Sequence, residues 1–329
     1  MRKGLLILLV CLASGILASA GNKPYPFRGG ESASYYLLFK WGLVNTEVGN
    51  ARFQLDSVQF EGQDAYHISF KGQSAPFFDI FYKIREDFHS WVRTEDLRPI
   101  SYTRDTYEGG YTATNLFTYD WSAKEIKADV KYGDKERQFL SIPLKEKVYD
   151  LPALIYQVRT LDFANMKPGQ KTTFRFAIDD DIYSVNITFK GKGQLKARRL
   201  GNMETYRVAC SLVSGAVFEG NEDLLVWFTA DGHCVPVAVK APLRVGTVWA
   251  WLSEYKYCHA TTSNPFTSLR ARVLWYFAFS FCLVLTGNTA SAPALRQKSP
   301  MWKLKARGRA REKMFAWLPI VLKLPPAVG

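Results

Sequence analysis

The 329 residues, 47% hydrophobic and 15% aromatic, supply ample material for a packed core, and although the length allows two domains, sandwiches and barrels of this size run as one unit. The formal charge of +13 is concentrated at one end: residues 263–329 carry eleven Lys/Arg against a single acid, Glu312, while the body at 21–262 is close to neutral. A neutral body has no basic footprint, and nucleic-acid binding is excluded on that ground.

The chain opens with Arg2 and Lys3, an apolar run from Leu5 to Leu17 and the small-residue triplet Ala18-Ser19-Ala20. This is the grammar of a cleaved secretory peptide, and it predicts residues 1–20 as a signal peptide and an exported, periplasmic or outer-membrane-associated product. Cys11 follows Val10 where a lipoprotein cleavage site wants a small residue, which disfavours a lipid anchor.

From Glu31 to Cys258 the dominant pattern is period-2 alternation, the mark of strands with one buried face. Ala51, Phe53 and Leu55 interleave with Arg52 and Gln54, and Tyr66, Ile68 and Phe70 with His67 and Ser69. The pattern returns at Ile126, Ala128 and Val130 and again at Phe174, Phe176 and Ile178. Short turns at Gly109-Gly110, Gly133-Asp134, Asp179-Asp180-Asp181, Gly201-Asn202 and Asp231-Gly232 make the connections antiparallel, since a parallel crossover needs a dozen residues or more. Pro76 to Tyr82 reads equally as a helical turn or an apolar loop.

One convincing helix divides strands 33–142 from strands 171–258. Asp150 caps it, Leu151, Leu154, Ile155, Val158 and Leu161 share one face, and Gln157, Arg159, Thr160 and Asp162 lie opposite. Pro168-Gly169 ends the element. Its apolar stripe has to bury against the concave face or open end of the curved sheet.

After Thr262 the pattern stops. Arg270 and Arg272 precede a 13-residue apolar run, Val273 to Leu285, and Ala290-Ser291-Ala292 repeats the export grammar of the first twenty residues. Residues 263–329 are therefore expected to be a basic tail foreign to the fold, preferred over a membrane-associated extension because 13 residues fall short of a span. The organisation expected is a signal peptide at 1–20, a single β-rich domain at 21–262 and that tail.

Landmarks in the body, taken in order, resemble the exported-protein family catalogued as domain of unknown function 3108. They run from Gly30-Glu31 and Tyr35-Tyr36-Leu37 through Leu97-Arg98-Pro99-Ile100 to Tyr107-Glu108-Gly109-Gly110. Tyr149-Asp150 ahead of Tyr156 and Arg159 comes next, followed by Lys167-Pro168-Gly169, Val226-Trp227-Phe228, Pro236 and Arg244-Val245-Gly246. The resemblance covers most of 28–258 and implies a Gram-negative cell-envelope β-protein with no established activity, ligand or catalytic residues.

Chemistry-bearing motifs are few. No nucleophile elbow, zinc-protease pair, phosphate loop or dinucleotide fingerprint occurs, and no catalytic residue, cofactor or metal site is assigned. Ser253 and Lys256 match S-x-x-K by chance, because Trp249, Trp251 and Ser253 alternate as a strand and put the pair on opposite faces. His67, His89, His233 and His259 are read as isolated imidazoles, and Asp179-Asp180-Asp181 as a solvated turn. Cys210, Cys234 and Cys258 are read as small buried residues, with a disulfide between two of them left open. Glu86 with Asp87, Glu95 with Asp96 and Asp105 with Glu108 offer paired carboxylates for a hydrolase, the alternative function.

Aromatic density is the strongest functional signal. Tyr35, Tyr36, Phe39 and Trp41 put rings on both faces of one strand, and Phe77, Phe78, Phe81 and Tyr82 crowd four more into six residues. Core packing is the ordinary explanation. The functional one takes Tyr35, Phe39, Trp41, Phe77, Phe78, Phe81 and Tyr82 as lining a site for a lipid or hydrophobic envelope component. The expectation is a curved antiparallel sheet or open β-barrel of about a dozen strands, one amphipathic helix packed across it, and non-enzymatic binding as its function.

Overall fold

The computed structural model describes residues 24–144, 146–212, 224–243 and 245–257. The expected signal peptide, the tail from 263 and Cys258 lie outside the described residues.

Fourteen strands form one antiparallel sheet. The first meander is β1 (Glu31–Trp41), β2 (Val44–Phe60), β3 (Gln63–Ser74), β4 (Ile84–Arg93), β5 (Pro99–Glu108), β6 (Tyr111–Asp120), β7 (Glu125–Tyr132) and β8 (Gln138–Pro143). The second is β9 (Lys171–Ile178), β10 (Asp181–Ala197), β11 (Gly201–Leu212), β12 (Leu224–Thr229), β13 (Pro236–Pro242) and β14 (Thr247–Lys256). β14 pairs with β1, so the order runs β8 to β1 and then β14 to β9, with β8 and β9 at the two edges. Two helices interrupt the sheet: α1 (Pro76–Tyr82), the apolar stretch that could also have been a loop, and α2 (Leu151–Arg159).

The sheet curls until its edges approach. Tyr149, just before α2, makes a parallel bridge to Phe176 on β9, and Asp179 in the β9–β10 turn reaches Arg104 on β5. Alternation fills the concave side with rings from successive strands. Phe53 meets Phe70 at 4.9 Å, Phe70 meets Phe88 at 5.6 Å, Phe88 meets Tyr102 at 6.1 Å and Tyr102 meets Phe117 at 5.5 Å. These edge-to-face and tilted contacts are the favoured geometries for aromatic pairs, and all of the rings are buried.

α2 covers this core, and its first turn follows expectation: Asp150 accepts from the Ala153 amide at 2.8 Å. Its last turn does not. Arg159, assigned to the polar face, is buried, because Glu31 on β1 lies beneath it and accepts from its Nη2 at 2.9 Å. Tyr255 donates to the same carboxylate at 2.9 Å, Tyr156 at 3.2 Å, and Arg159 also donates to the His233 carbonyl at 3.0 Å. Helical periodicity identified the buried face correctly at Leu151, Leu154 and Val158, but the helix ends at Arg159, before Leu161, and periodicity had no means of seeing a buried counter-ion on a distant strand.

β1 is buried on both faces. The helix side holds Tyr35, while on the other side the β10–β11 hairpin turns back so that the Arg199 guanidinium sits 4.0 Å over the Tyr36 ring. Cys210 and Cys234 are buried. Ser253 is buried and donates to the Ser34 carbonyl at 3.0 Å while Lys256 is exposed, the opposite-face placement expected of them.

Candidate functional site

At one end of the barrel the β1–β2 turn, α1, the β5–β6 turn, the β9–β10 turn and the β13–β14 turn come together. This follows from register: Trp41 pairs with Val44, Lys40 with Thr247, and Glu108 with Tyr111. Beneath this rim lies a polar cluster, and on it lies an apolar arc.

The polar cluster is built by the inward-facing positions of β4, β5 and β6. Glu86, Arg104, Thr106, Glu108 and Asn115 are all buried. Arg104 donates from Nη1 to Asp179 at 2.6 Å and from Nε to Thr106 at 2.8 Å, and Thr106 donates to Glu86 at 2.8 Å. Asn115 donates to Asp179 at 3.3 Å. Asp179 occupies the left-handed region, φ 57°, a conformation that Asp tolerates, and this turns its carboxylate inward. The turn expected to be merely solvated is therefore tied into the core through Asp179.

Glu86 and Glu108 occupy neighbouring rows of adjacent strands. Burial and mutual repulsion raise Glu86 well above the usual carboxyl range, and burial raises Glu108 to about 7. Two buried carboxyls that face one another cannot both ionise, so the pair holds at least one proton at neutral pH. Tyr82, Tyr111 and Tyr132 surround the cluster, and burial together with the nearby acids pushes their phenols upward.

The paired carboxylates expected from sequence are not the ones the fold assembles. Alternation sends Glu86 inward and Asp87 outward, and Glu108 inward while Asp105 faces out, because an odd separation along a strand reverses the face. Asp96 binds Arg93 at 3.1 Å and stays near its own turn.

The apolar arc begins with α1. Seven residues are too few for a helix to stand by itself, and this one is pinned by its polar residue: Asp79 accepts from Arg85 Nη1 at 2.9 Å and also meets Ser74. Arg85 beside it holds the Asp79 carboxyl below its usual range. Tyr82 tucks against Gly109, where φ is 54° and a Cβ would overlap the phenol ring. With these side anchored, Phe77 is left 57% exposed and Ile80 76% exposed. Leu43 at the β1–β2 turn is fully exposed, and Val245 at the β13–β14 turn is exposed as well.

The seven aromatic residues singled out by sequence divide between these environments. Tyr35 is a core residue below α2. Phe39 packs partly against the core and Trp41 is half-buried where β1 reaches the rim. Phe77, Phe78 and Phe81 form one ring cluster on α1, with Phe77 5.6 Å from each of the other two. Tyr82 turns inward and joins the carboxyl cluster. Trp41 and the α1 phenylalanines share the rim, whereas Tyr35 does not belong to it.

On the convex side, His67 and His89 are not isolated: His67 Nε2 lies 2.9 Å from His89 Nδ1, and His89 Nε2 lies 3.0 Å from Asp87. Phe60 stacks on Trp91 at 5.0 Å and Trp91 on His67 at 4.7 Å. The two histidines sit on diagonal positions of β3 and β4, a juxtaposition that only strand register reveals. Among the described residues, no three His, Cys, Asp or Glu side chains group so as to hold a metal ion.

A family model described as "Protein of unknown function (DUF3108)" matches residues 35–252. No curated protein matches the chain. Among solved structures, the crystal structure of a β-barrel-like protein of domain of unknown function DUF1849 from Brucella abortus is similar with a TM-score of 0.47 and 6% identity, covering 71% of this chain and 99% of that one.

Proposed function

The chain belongs to the DUF3108 family of proteins of unknown function, and from that premise we propose that it is an exported cell-envelope protein that binds a hydrophobic ligand or envelope partner without chemistry, at the rim around α1. The observation that carries this reading is the exposure of Phe77, Ile80 and Leu43 on adjoining elements. Exposed apolar groups that cluster, as opposed to single ones, mark binding surfaces. The concave side favours the rim over an enclosed cavity, because α2 and the aromatic row from Phe53 to Phe117 occupy it. The leader-like residues 1–20 support export.

The second reading, hydrolysis by paired carboxyl groups, draws on Glu86 and Glu108, whose raised pKa values suit a general acid. Their burial beneath Tyr82 and Asp179 argues against substrate access.

The test uses N-phenyl-1-naphthylamine, an uncharged apolar probe. Saturable fluorescence enhancement by the wild-type protein, lost in a Phe77→Ser/Ile80→Ser variant of unchanged circular dichroism, is the expected result. An enhancement that is absent, or identical in the variant, would sink the proposal.

A further inference from the structure

We propose that the occupant of the rim is an anionic lipid bilayer surface, an inference that rests on the rim being the binding surface and names its partner. The apolar side chains stand on separate projecting elements: Leu43 on the β1–β2 turn, Phe77 and Ile80 on α1, Val245 on the β13–β14 turn. They stand at the same end of the sheet. α1 leaves β3 with the Ala75 amide bonded to the Val48 carbonyl of β2 at 3.0 Å, which sets it beside the strand that starts after Leu43. Gly246, with φ 79°, presses on the Lys40 carbonyl and the Trp41 side chain, so Val245 adjoins the end of β1.

Immediately behind these tips stand two exposed cations. Lys40 precedes the β1–β2 turn by two residues and lies 5.6 Å over the Trp249 ring, and Lys83 follows α1 and lies 5.5 Å over the Tyr107 ring. Among the described residues neither makes an ion pair, whereas the acids of α1 and the start of β2 are neutralised, Asp79 by Arg85 and Glu47 by Arg199 at 3.4 Å; the unpaired acids Asp180 and Asp181 belong to the separate β9–β10 turn. The β1–β2 and α1 side of the rim therefore combines projecting apolar tips with unpaired cations three residues from them.

That stratification matches a membrane interface. Apolar groups enter the headgroup and acyl boundary, ammonium groups one step back meet lipid phosphates, and amphipathic rings such as Trp41 and Tyr107 suit the boundary between them. A protein partner has no need of apolar and cationic groups sorted by depth. Each lysine near an anionic surface strengthens attachment by about fivefold, and the attraction fades within a Debye length, so salt weakens it.

The experiment is co-sedimentation of the full chain with vesicles of phosphatidylcholine alone and of equal parts phosphatidylcholine and phosphatidylglycerol. Preferential binding to the anionic vesicles is expected, weakened about tenfold by Ile80→Asp and about fivefold by each of Lys40→Gln and Lys83→Gln. The basic segment after residue 262 can itself attract anionic vesicles, so the rim variants decide the matter: binding that all three leave unchanged overturns the proposal. Equal binding to both vesicle types overturns it too. N-phenyl-1-naphthylamine binding that depends on Phe77 and Ile80, without vesicle association, overturns the bilayer alone and leaves the rim as a binding surface. Loss of both overturns both.

Discussion

Asp179, in the turn between β9 and β10, crosses the seam between the two edges of the sheet and binds Arg104 on β5 at 2.6 Å. Arg104 is almost fully buried, so its charge depends on this partner. Desolvating an ion and then removing its counter-ion is among the costliest single changes in a core, about 3–5 kcal/mol. Asp179→Asn is expected to lower the urea midpoint accordingly, and Asp179→Asn/Arg104→Met to recover part of the loss. If the double variant is the less stable of the two, the pair is not the clasp described.

Glu31 and Arg159 fasten α2 to β1 in the same manner, with Tyr156 and Tyr255 completing the carboxylate's hydrogen bonds. Glu31→Gln leaves Arg159 charged beneath the helix and is expected to cost about 3 kcal/mol or more. Hydrogen exchange should locate the damage, with amides of α2 losing protection before those of β2 and β3. Uniform loss across the sheet would contradict a local role for the pair.

Stability should fall as pH rises across the acid-to-neutral range. Burial raises Glu86 well above its usual value, Glu108 from 4.5 to about 7, and Asp150 from 3.8 to about 7. The folded state therefore holds protons that the unfolded chain releases. For Glu108 and Asp150 that contribution is fully present below about pH 4 and is lost as pH rises through about 7. Glu86 faces Thr106, Arg104 and Glu108, and Asp150 faces Ser90 and the Ala153 amide. Glu108→Gln should flatten the decline in a series of urea titrations between pH 4 and 8. A wild-type and variant difference that does not change with pH would refute it.

His67 is expected to titrate below 6.5, since burial and the adjacent His89 both disfavour its cation. His89→Gln removes one of those causes and should move His67 upward in an NMR titration. An unmoved resonance would mean that the 2.9 Å contact carries no coupling.

Gly109→Ala should be strongly destabilising, because position 109 has φ 54° and its new methyl would meet the Tyr82 ring. Gly110→Ala, where φ is 97° but no atom lies within 4 Å, carries the backbone strain alone. A larger loss of thermal stability at 109 than at 110 is the expected order; the reverse would remove the Tyr82 contact as the cause.

How much of this was legible from sequence depended on the range of the interaction. Strand alternation at Ala51 to Leu55 and Tyr66 to Phe70, the Gly109-Gly110 turn and the Asp150 cap are local, and each appears where its residues predict it. Fourteen strands replace about a dozen because the counting of weak alternation near chain turns is imprecise. The candidate site was partly visible: Phe77, Phe78, Phe81 and Trp41 do share the rim, but Tyr35, drawn in by the same aromatic density, lies in the core. Aromatic content reports burial and binding alike, and composition cannot separate them.

By itself the sequence determined the antiparallel sheet, the single long interruption at α2 and the near-neutral charge of the body, because period, turn chemistry and charge balance are properties of neighbouring residues. Only the tertiary structure decided that Arg159 lies buried on Glu31, that Asp179 closes on Arg104, that Glu86 shares its environment with Glu108, and that Leu43, Ile80 and Val245 are left exposed at one end of the sheet. The physical reason is that desolvation and Coulomb attraction act between groups brought together by the curl of the sheet, at separations along the chain that no local pattern encodes.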